Sequence, residues 1–128
     1  MPSLHLLFSH QLTPDQLADA QQNLAISDIR YLPPDLQALW SQVPPDLDSL
    51  YGYATPLRLW LRDTAVPGDF VLIQGDFGLT FIMVNFSRTL NLTPIYATTR
   101  RESREVTREN GKIEKTLVFE HVRFREYR

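Results

Sequence analysis

The sequence predicts an α/β fold: a mostly parallel sheet with flanking helices and a C-terminal β-hairpin. Three observations carry this. Short apolar runs of strand length alternate with segments of helical period. Two helical segments open on a threonine followed by proline. Near the end, Asn110-Gly111 interrupts a strand-rich tail.

Taken in order, Leu4-His5-Leu6-Leu7-Phe8 is an apolar run bounded by turn formers, and predicts a buried strand. Thr13, Pro14 and Gln16 form a capping box, with Leu12 and Leu17 placed as its hydrophobic staple. Leu17, Ala20 and Leu24 mark the buried face of that helix. Ile26 to Leu32 reads as a second strand, stopped by Pro33-Pro34. Leu36, Leu39, Trp40 and Val43 keep helical spacing. Pro44-Pro45 interrupts, and Leu47, Leu50 and Tyr51 resume it. Thr55 caps a further helix through Leu57, Trp60 and Leu61. Phe70 to Ile73 is a buried strand, and Leu79, Ile82, Met83, Phe86 and Leu90 form the next helix face. Thr93 to Ala97 is a strand, with Pro94 at its start. The tail predicts a hairpin over about 102–123, with strands Ser103 to Glu109 and Lys112 to Val122 on either side of a type I′ turn.

Length and composition bound the function. The 128 residues fit one domain, spanning 1–128. No apolar stretch reaches the ~18 residues of a membrane span, and residues 1–10 carry no basic segment of a secretory signal. The lack of cysteine excludes disulfides and thiolate chemistry, and fits a reducing cytoplasm. Three scattered histidines form no metal-ligand spacing. The net charge of −2 is uneven: residues 1–99 hold four arginines against nine aspartates, whereas 100–128 hold nine basic residues against six glutamates. That excess, interleaved with Glu, is too weak for duplex nucleic acid but suits a small polyphosphate.

In parallel α/β sheets, ligands bind outside the carboxyl ends of the strands. This rule selects three segments. Ser9-His10-Gln11 offers a hydroxyl and an imidazole able to act as a general acid, or simply leads into the helix cap. Gln74-Gly75-Asp76-Phe77-Gly78 offers glycines for positive φ or close backbone approach ahead of a helix, although its spacing is neither a P-loop nor a dinucleotide fingerprint. Asp76 can bind a ribose hydroxyl, orient a base or cap the helix. Phe77 can stack on a base or fill the core. Thr98-Thr99-Arg100-Arg101 pairs hydroxyls with guanidiniums suited to phosphate, or opens a solvated strand. His121, Arg123 and Arg125 alternate on the last strand and read as a solvated face, while His5, Trp40 and Trp60 read as core.

Several segments taken together resemble one known group. They are Leu6 to Thr13, Tyr31-Leu32-Pro33, Leu39-Trp40-Ser41, Ile73 to Gly78, Pro94 to Arg101 and Phe119 to Arg125. The sequence resembles the Csx group of accessory proteins encoded beside type III CRISPR systems, specifically the member numbered twenty. The resemblance implies a CARF-like, Rossmann-like fold, a cytoplasmic homodimer and a cyclic oligoadenylate ligand, most commonly cyclic tetra-adenylate. It implies either a metal-independent, cofactor-free ring nuclease or a non-catalytic sponge or sensor. On this expectation Ser9, His10 and Arg100 carry chemistry. Gln11, Gln74, Gly75, Asp76, Phe77, Gly78, Thr98, Thr99 and Arg101 bind the ligand.

Overall fold

A computed structural model describes residues 1–128. The elements are β1 (Ser3–Phe8), α1 (Pro14–Asn23), β2 (Asp28–Arg30), α2 (Pro34–Ser41), α3 (Thr55–Thr64), β3 (Phe70–Gln74), α4 (Phe77–Thr89), β4 (Thr93–Thr107) and β5 (Ile113–Glu126). One five-stranded sheet has the order β2-β1-β3-β4-β5. The first four strands pair in parallel and β5 runs antiparallel to β4. No helix is long and apolar enough to cross a membrane.

Alternation along the strands splits the core into two layers. Leu7, Val71 and Ile73 pack with Trp40, Leu57, Leu61, Leu79 and Met83 from α2, α3 and α4. Leu4, Leu6, Leu72 and Ile95 pack on the other side with Ala20 of α1. The capping box opens α1 as expected: Gln16 N donates to Thr13 Oγ1 at 3.2 Å, and Thr13 N donates to Gln16 Oε1 at 2.9 Å.

A second polar knot lies at the opposite, amino-terminal end of the sheet. Asp69 accepts from Ser3 N and Val66 N at 3.0 Å each, and its Oδ2 lies 3.1 Å from His5 Nε2. Burial pushes the Asp69 carboxyl up, but the hydrogen bonds from Ser3, Val66 and His5 outweigh it and hold it below the usual carboxylate range. An ionised carboxylate only accepts, so His5 Nε2 carries the proton. His5 is therefore a core histidine, packed edge-on against Trp60 at 5.7 Å.

Four expected elements differ. The second strand shortens from Ile26–Leu32 to Asp28–Arg30, because β2 pairs only with Ser3–His5 and Ala25 turns the chain at φ 55°. Leu47 and Leu50 lie in irregular chain and Tyr51 in a turn, not in a resumed helix. Pro44 and Pro45 lack the N–H that a helix would need there, and Gly52 raises the entropic cost of ordering the stretch as helix. Thr55 is the first residue of α3 rather than its cap; Ala54 holds that place without a side-chain bond, and Arg58 donates to Thr55 Oγ1. In the hairpin, Gly111 has φ 80° but Asn110 is not left-handed. Gly111 N donates to Arg108 O, and Arg108 N to Lys112 O. This is a three-residue loop with a left-handed glycine, not a type I′ turn.

Candidate functional site

From β1 the chain steps to β2 on one side and then returns to β3 on the other, so the strand order reverses between β1 and β3. Parallel α/β sheets open a crevice at such a point. Register aligns the candidate segments along this edge. Phe8 pairs with Gln74, so Ser9–Gln11 emerge beside Gly75–Gly78. The Gln74 side chain then reaches the next strand, accepting from Ala97 N at 2.7 Å. Main-chain pairing of β3 with β4 stops at Leu72–Ile95, so this side chain continues the ladder by one rung.

Ser9, His10 and Gln11 are exposed and line a cleft of about 410 Å³ with Tyr31, Leu32 and Gln37. Gln37 of α2 donates to the last carbonyl of β1, Phe8 O, at 3.0 Å. Ser9 and Ser41 share a hydrogen bond of 3.0 Å. The His10 ring stands edge-on to Phe8 at 5.3 Å and has no hydrogen-bond partner in the chain. Tyr31 and Gln37 complete this cleft, and no linear spacing marks them. Tyr31 arrives from the carboxyl end of β2, which pairs with β1, and Gln37 from α2, which packs over the end of β1.

The Gln74–Gly78 segment is built more rigidly than its glycines suggest. Neither Gly75 nor Gly78 has positive φ, so that reading does not hold. A Cβ on Gly75 would meet the Trp40 indole at 2.8 Å, and Trp40 Nε1 donates to Gln74 O at 3.2 Å. The close approach made at Gly75 is thus to a core tryptophan. Asp76 caps α4, accepting from Leu79 N at 3.0 Å. Phe77 is 95% exposed and does not fill the core, so its flat face is open to a ligand.

The third segment is a strand and not a loop. β4 runs unbroken through Thr98–Arg101 to Thr107, because β5 supplies a partner along its whole length. Alternation then divides the segment. Thr99 and Arg101 share the face of Ile95, toward α1, while Thr98 and Arg100 face the side of α2, α3 and α4. Arg100 and Arg101 therefore cannot grip one phosphate together. The Arg101 guanidinium lies over Phe119 at 5.1 Å. The Thr98 hydroxyl is engaged with the Arg123 backbone, donating to O at 2.8 Å and accepting from N at 3.2 Å.

That hydroxyl sits at a β-bulge, where Thr98 pairs with Arg123 and Thr99 with His121. The extra residue, Val122, shifts the alternation of β5. His121 meets Phe124 at 4.8 Å and Asp19 of α1 at 2.7 Å. His121 thus does not share a face with Arg123 and Arg125. Burial pushes the Asp19 carboxyl up, but bonds from Asn23 and His121, with the charges of His121 and Arg123, outweigh it and hold it below the usual range. The His121–Asp19 contact ties the hairpin to α1.

The structure defines a mixed α/β protein whose parallel strands end in one polar edge, extended by an antiparallel hairpin. The chain belongs to the family described as "Uncharacterized protein MJ1673", whose model matches residues 2–125. It is 50% identical over 127 residues to the protein MJ1673 of Methanocaldococcus jannaschii, covering 99% of this chain and 98% of that one. No solved structure matches it.

Proposed function

We propose that this protein is a CARF-like, Rossmann-like cytoplasmic ring nuclease that binds cyclic oligoadenylate, cyclic tetra-adenylate foremost, at the carboxyl edge of its sheet. One observation supports this most: Ser9–Gln11 and Gln74–Gly78 lie side by side where the strand order reverses, and Gln74 links them to β4 at Ala97, next to Thr98. The edge offers an exposed histidine, hydroxyls, an exposed aromatic ring and Arg100.

The chemistry needs no metal. A ribose 2′-hydroxyl attacks the adjacent phosphorus, its proton passing to solvent. The P–O5′ bond breaks, leaving a 2′,3′-cyclic phosphate, and His10 protonates the departing 5′-oxygen. Arg100 offsets charge on the phosphoryl oxygens, and Ser9 and Gln11 orient the ribose. A homodimer matches the ligand's symmetry by presenting the edge twice. Exposed Ile113, Leu117 and Phe119 on the hairpin offer an apolar stripe for that contact.

A second reading, sequestration without cleavage, is favoured by the His10 ring, which nothing in the chain orients through a hydrogen bond. Incubation with radiolabelled cyclic tetra-adenylate in EDTA separates the two. Linear products with a 2′,3′-cyclic phosphate end support the nuclease. Retained but intact ligand supports the sponge. No binding and no cleavage refutes both.

A further inference from the structure

The bulge in β5 gathers three arginines whose side chains have no partner elsewhere in the chain. Directly opposed residues of an antiparallel pair share a face. The register sets Arg125 opposite Tyr96, Arg123 opposite Thr98 and Glu120 opposite Arg100. Tyr96, Thr98 and Arg100 lie on the face away from α1, and Arg125 lies there too; Arg123, opposite Thr98 at the bulge of this edge strand, also borders a cleft with Asp19, Asn23 and Leu24 on the α1 side. Tyr127 supports this assignment: it is two residues beyond Arg125, packs on the core layer of α2, α3 and α4, and donates its hydroxyl to Ile73 O.

Eight of the eleven arginines have a carboxylate, a carbonyl or an aromatic ring as partner. The three without one are Arg100, Arg123 and Arg125: Arg100 and Arg125 are on this face, and Arg123 stands between them in register at the sheet's edge. Glu120 is the carboxylate opposite Arg100, and it forms no ion pair. The Arg123 charge is also felt by Asp19, without an ion pair between them. Like charges gathered on one part of the surface repel, and an anion bound among them relieves that repulsion.

We propose that Arg100, Arg123 and Arg125 form a phosphate-binding face that holds consecutive phosphodiesters of a single-stranded or cyclic oligonucleotide. Residues two apart on a strand are about 6.6 Å apart, and neighbouring strands about 4.8 Å. These steps are comparable with that between successive phosphodiesters of an extended strand. Guanidiniums grip each phosphate through paired N–H donors. The face spans Ala97, running from the Tyr96–Arg125 pair to Arg100, and Gln74 ties Ala97 to the end of β3, so it adjoins the proposed site. Thr98 belongs to it as a structural element: its hydroxyl holds the bulge that sets the Arg123 backbone opposite it. The inference rests on the proposed function for the cyclic form of the ligand only.

The test is fluorescence anisotropy with 5′-labelled linear tetra-adenylate, and competition by unlabelled cyclic tetra-adenylate. Arg100→Ala and Arg125→Ala should each weaken binding by about tenfold to a hundredfold. The double variant R123A/R125A should flatten the salt dependence, by about 0.7 in the log–log slope for each phosphate no longer neutralised. Arg62→Ala, on α3 and paired with Asp63, should stay within about twofold of wild type. Arg125→Gln, with unchanged circular dichroism, guards against loss of fold. If the linear probe binds through these arginines and the cyclic one does not compete, the face stands and the ring-nuclease reading falls. If the cyclic ligand binds but all three arginine variants bind like wild type, the face is refuted and that reading stands. Binding of neither probe by wild type refutes the face, as does a loss in Arg62→Ala equal to that in Arg125→Ala.

Discussion

Gly75 distinguishes a glycine kept for packing from one kept for a ligand. An alanine there would place its Cβ 2.8 Å from three atoms of the Trp40 ring, well inside van der Waals contact. Trp40 is fully buried and cannot swing into solvent without opening the layer beneath α2, α3 and α4. Overpacking of this kind costs about 1–3 kcal/mol. Displacing the indole also weakens its bond to Gln74 O, a further ~1 kcal/mol. Gly75→Ala should therefore destabilise the protein by about 2–4 kcal/mol. Urea denaturation followed by circular dichroism measures this, with the tryptophan emission reporting the ring's displacement. Trp40→Phe removes the atoms that clash, so the double variant should recover part of the loss, as a positive coupling in a double-mutant cycle. A Gly75→Ala protein within ~0.5 kcal/mol of wild type would refute the packing argument. If that protein also lost ligand binding, the glycine would be there for the ligand.

Asp69→Ala should cost about 3–5 kcal/mol by leaving Ser3 N, Val66 N and His5 without their acceptor in a buried site. Because the folded carboxyl lies below its usual range, this contribution is full above the unfolded value near ~3.9 and is lost as pH falls through the lower folded value. The gap between wild type and Asp69→Ala should thus shrink in acid titrations; a gap that widens in acid would reverse the assigned sign. His10→Ala should bind cyclic tetra-adenylate as wild type does and cleave it roughly 10²–10⁴ times more slowly in single turnover. Wild-type cleavage by His10→Ala would remove the general-acid role. Asp76→Ala should lower stability by about 1 kcal/mol through loss of the α4 cap, measured by thermal melting; an unchanged melting temperature would show that the cap contributes nothing. Light scattering should give a dimer, and Phe119→Asp with Leu117→Asp should give a monomer if the exposed stripe forms the contact. A wild-type monomer with and without ligand would refute the dimer.

Much of the fold was legible in the sequence because it depends on local chemistry. The alternation of apolar runs marked the parallel strands, since a strand covered on both faces must be apolar throughout. The capping box at Thr13 marked the start of α1, since hydroxyl and amide partners three residues apart meet by geometry alone. His5 read as core because its neighbours are apolar, but its partner Asp69 is distant in sequence and no spacing announces it. The site was legible to the same degree. The rule that ligands lie at strand ends picked out Ser9–Gln11 and Gln74–Gly78, and register sets them side by side. It did not bring in Tyr31, which the expected strand Ile26–Leu32 swallowed and which in fact follows the end of β2, or Gln37, which joins the cleft only because α2 crosses the end of β1.

The chain by itself determined which segments are strands and helices, where the α1 cap falls and which residues are apolar enough to be buried. Tertiary structure alone decided where β4 stops and which way its side chains point. Thr98 to Arg101 has turn-like polarity, yet it is strand because β5 satisfies its backbone groups along the full length. The sequence shows His121, Arg123 and Arg125 two residues apart. The bulge at Val122 sends His121 to Asp19 and leaves the two arginines beside Arg100, because an unpaired residue reverses the strand's alternation, and only the pairing of two strands places such a residue.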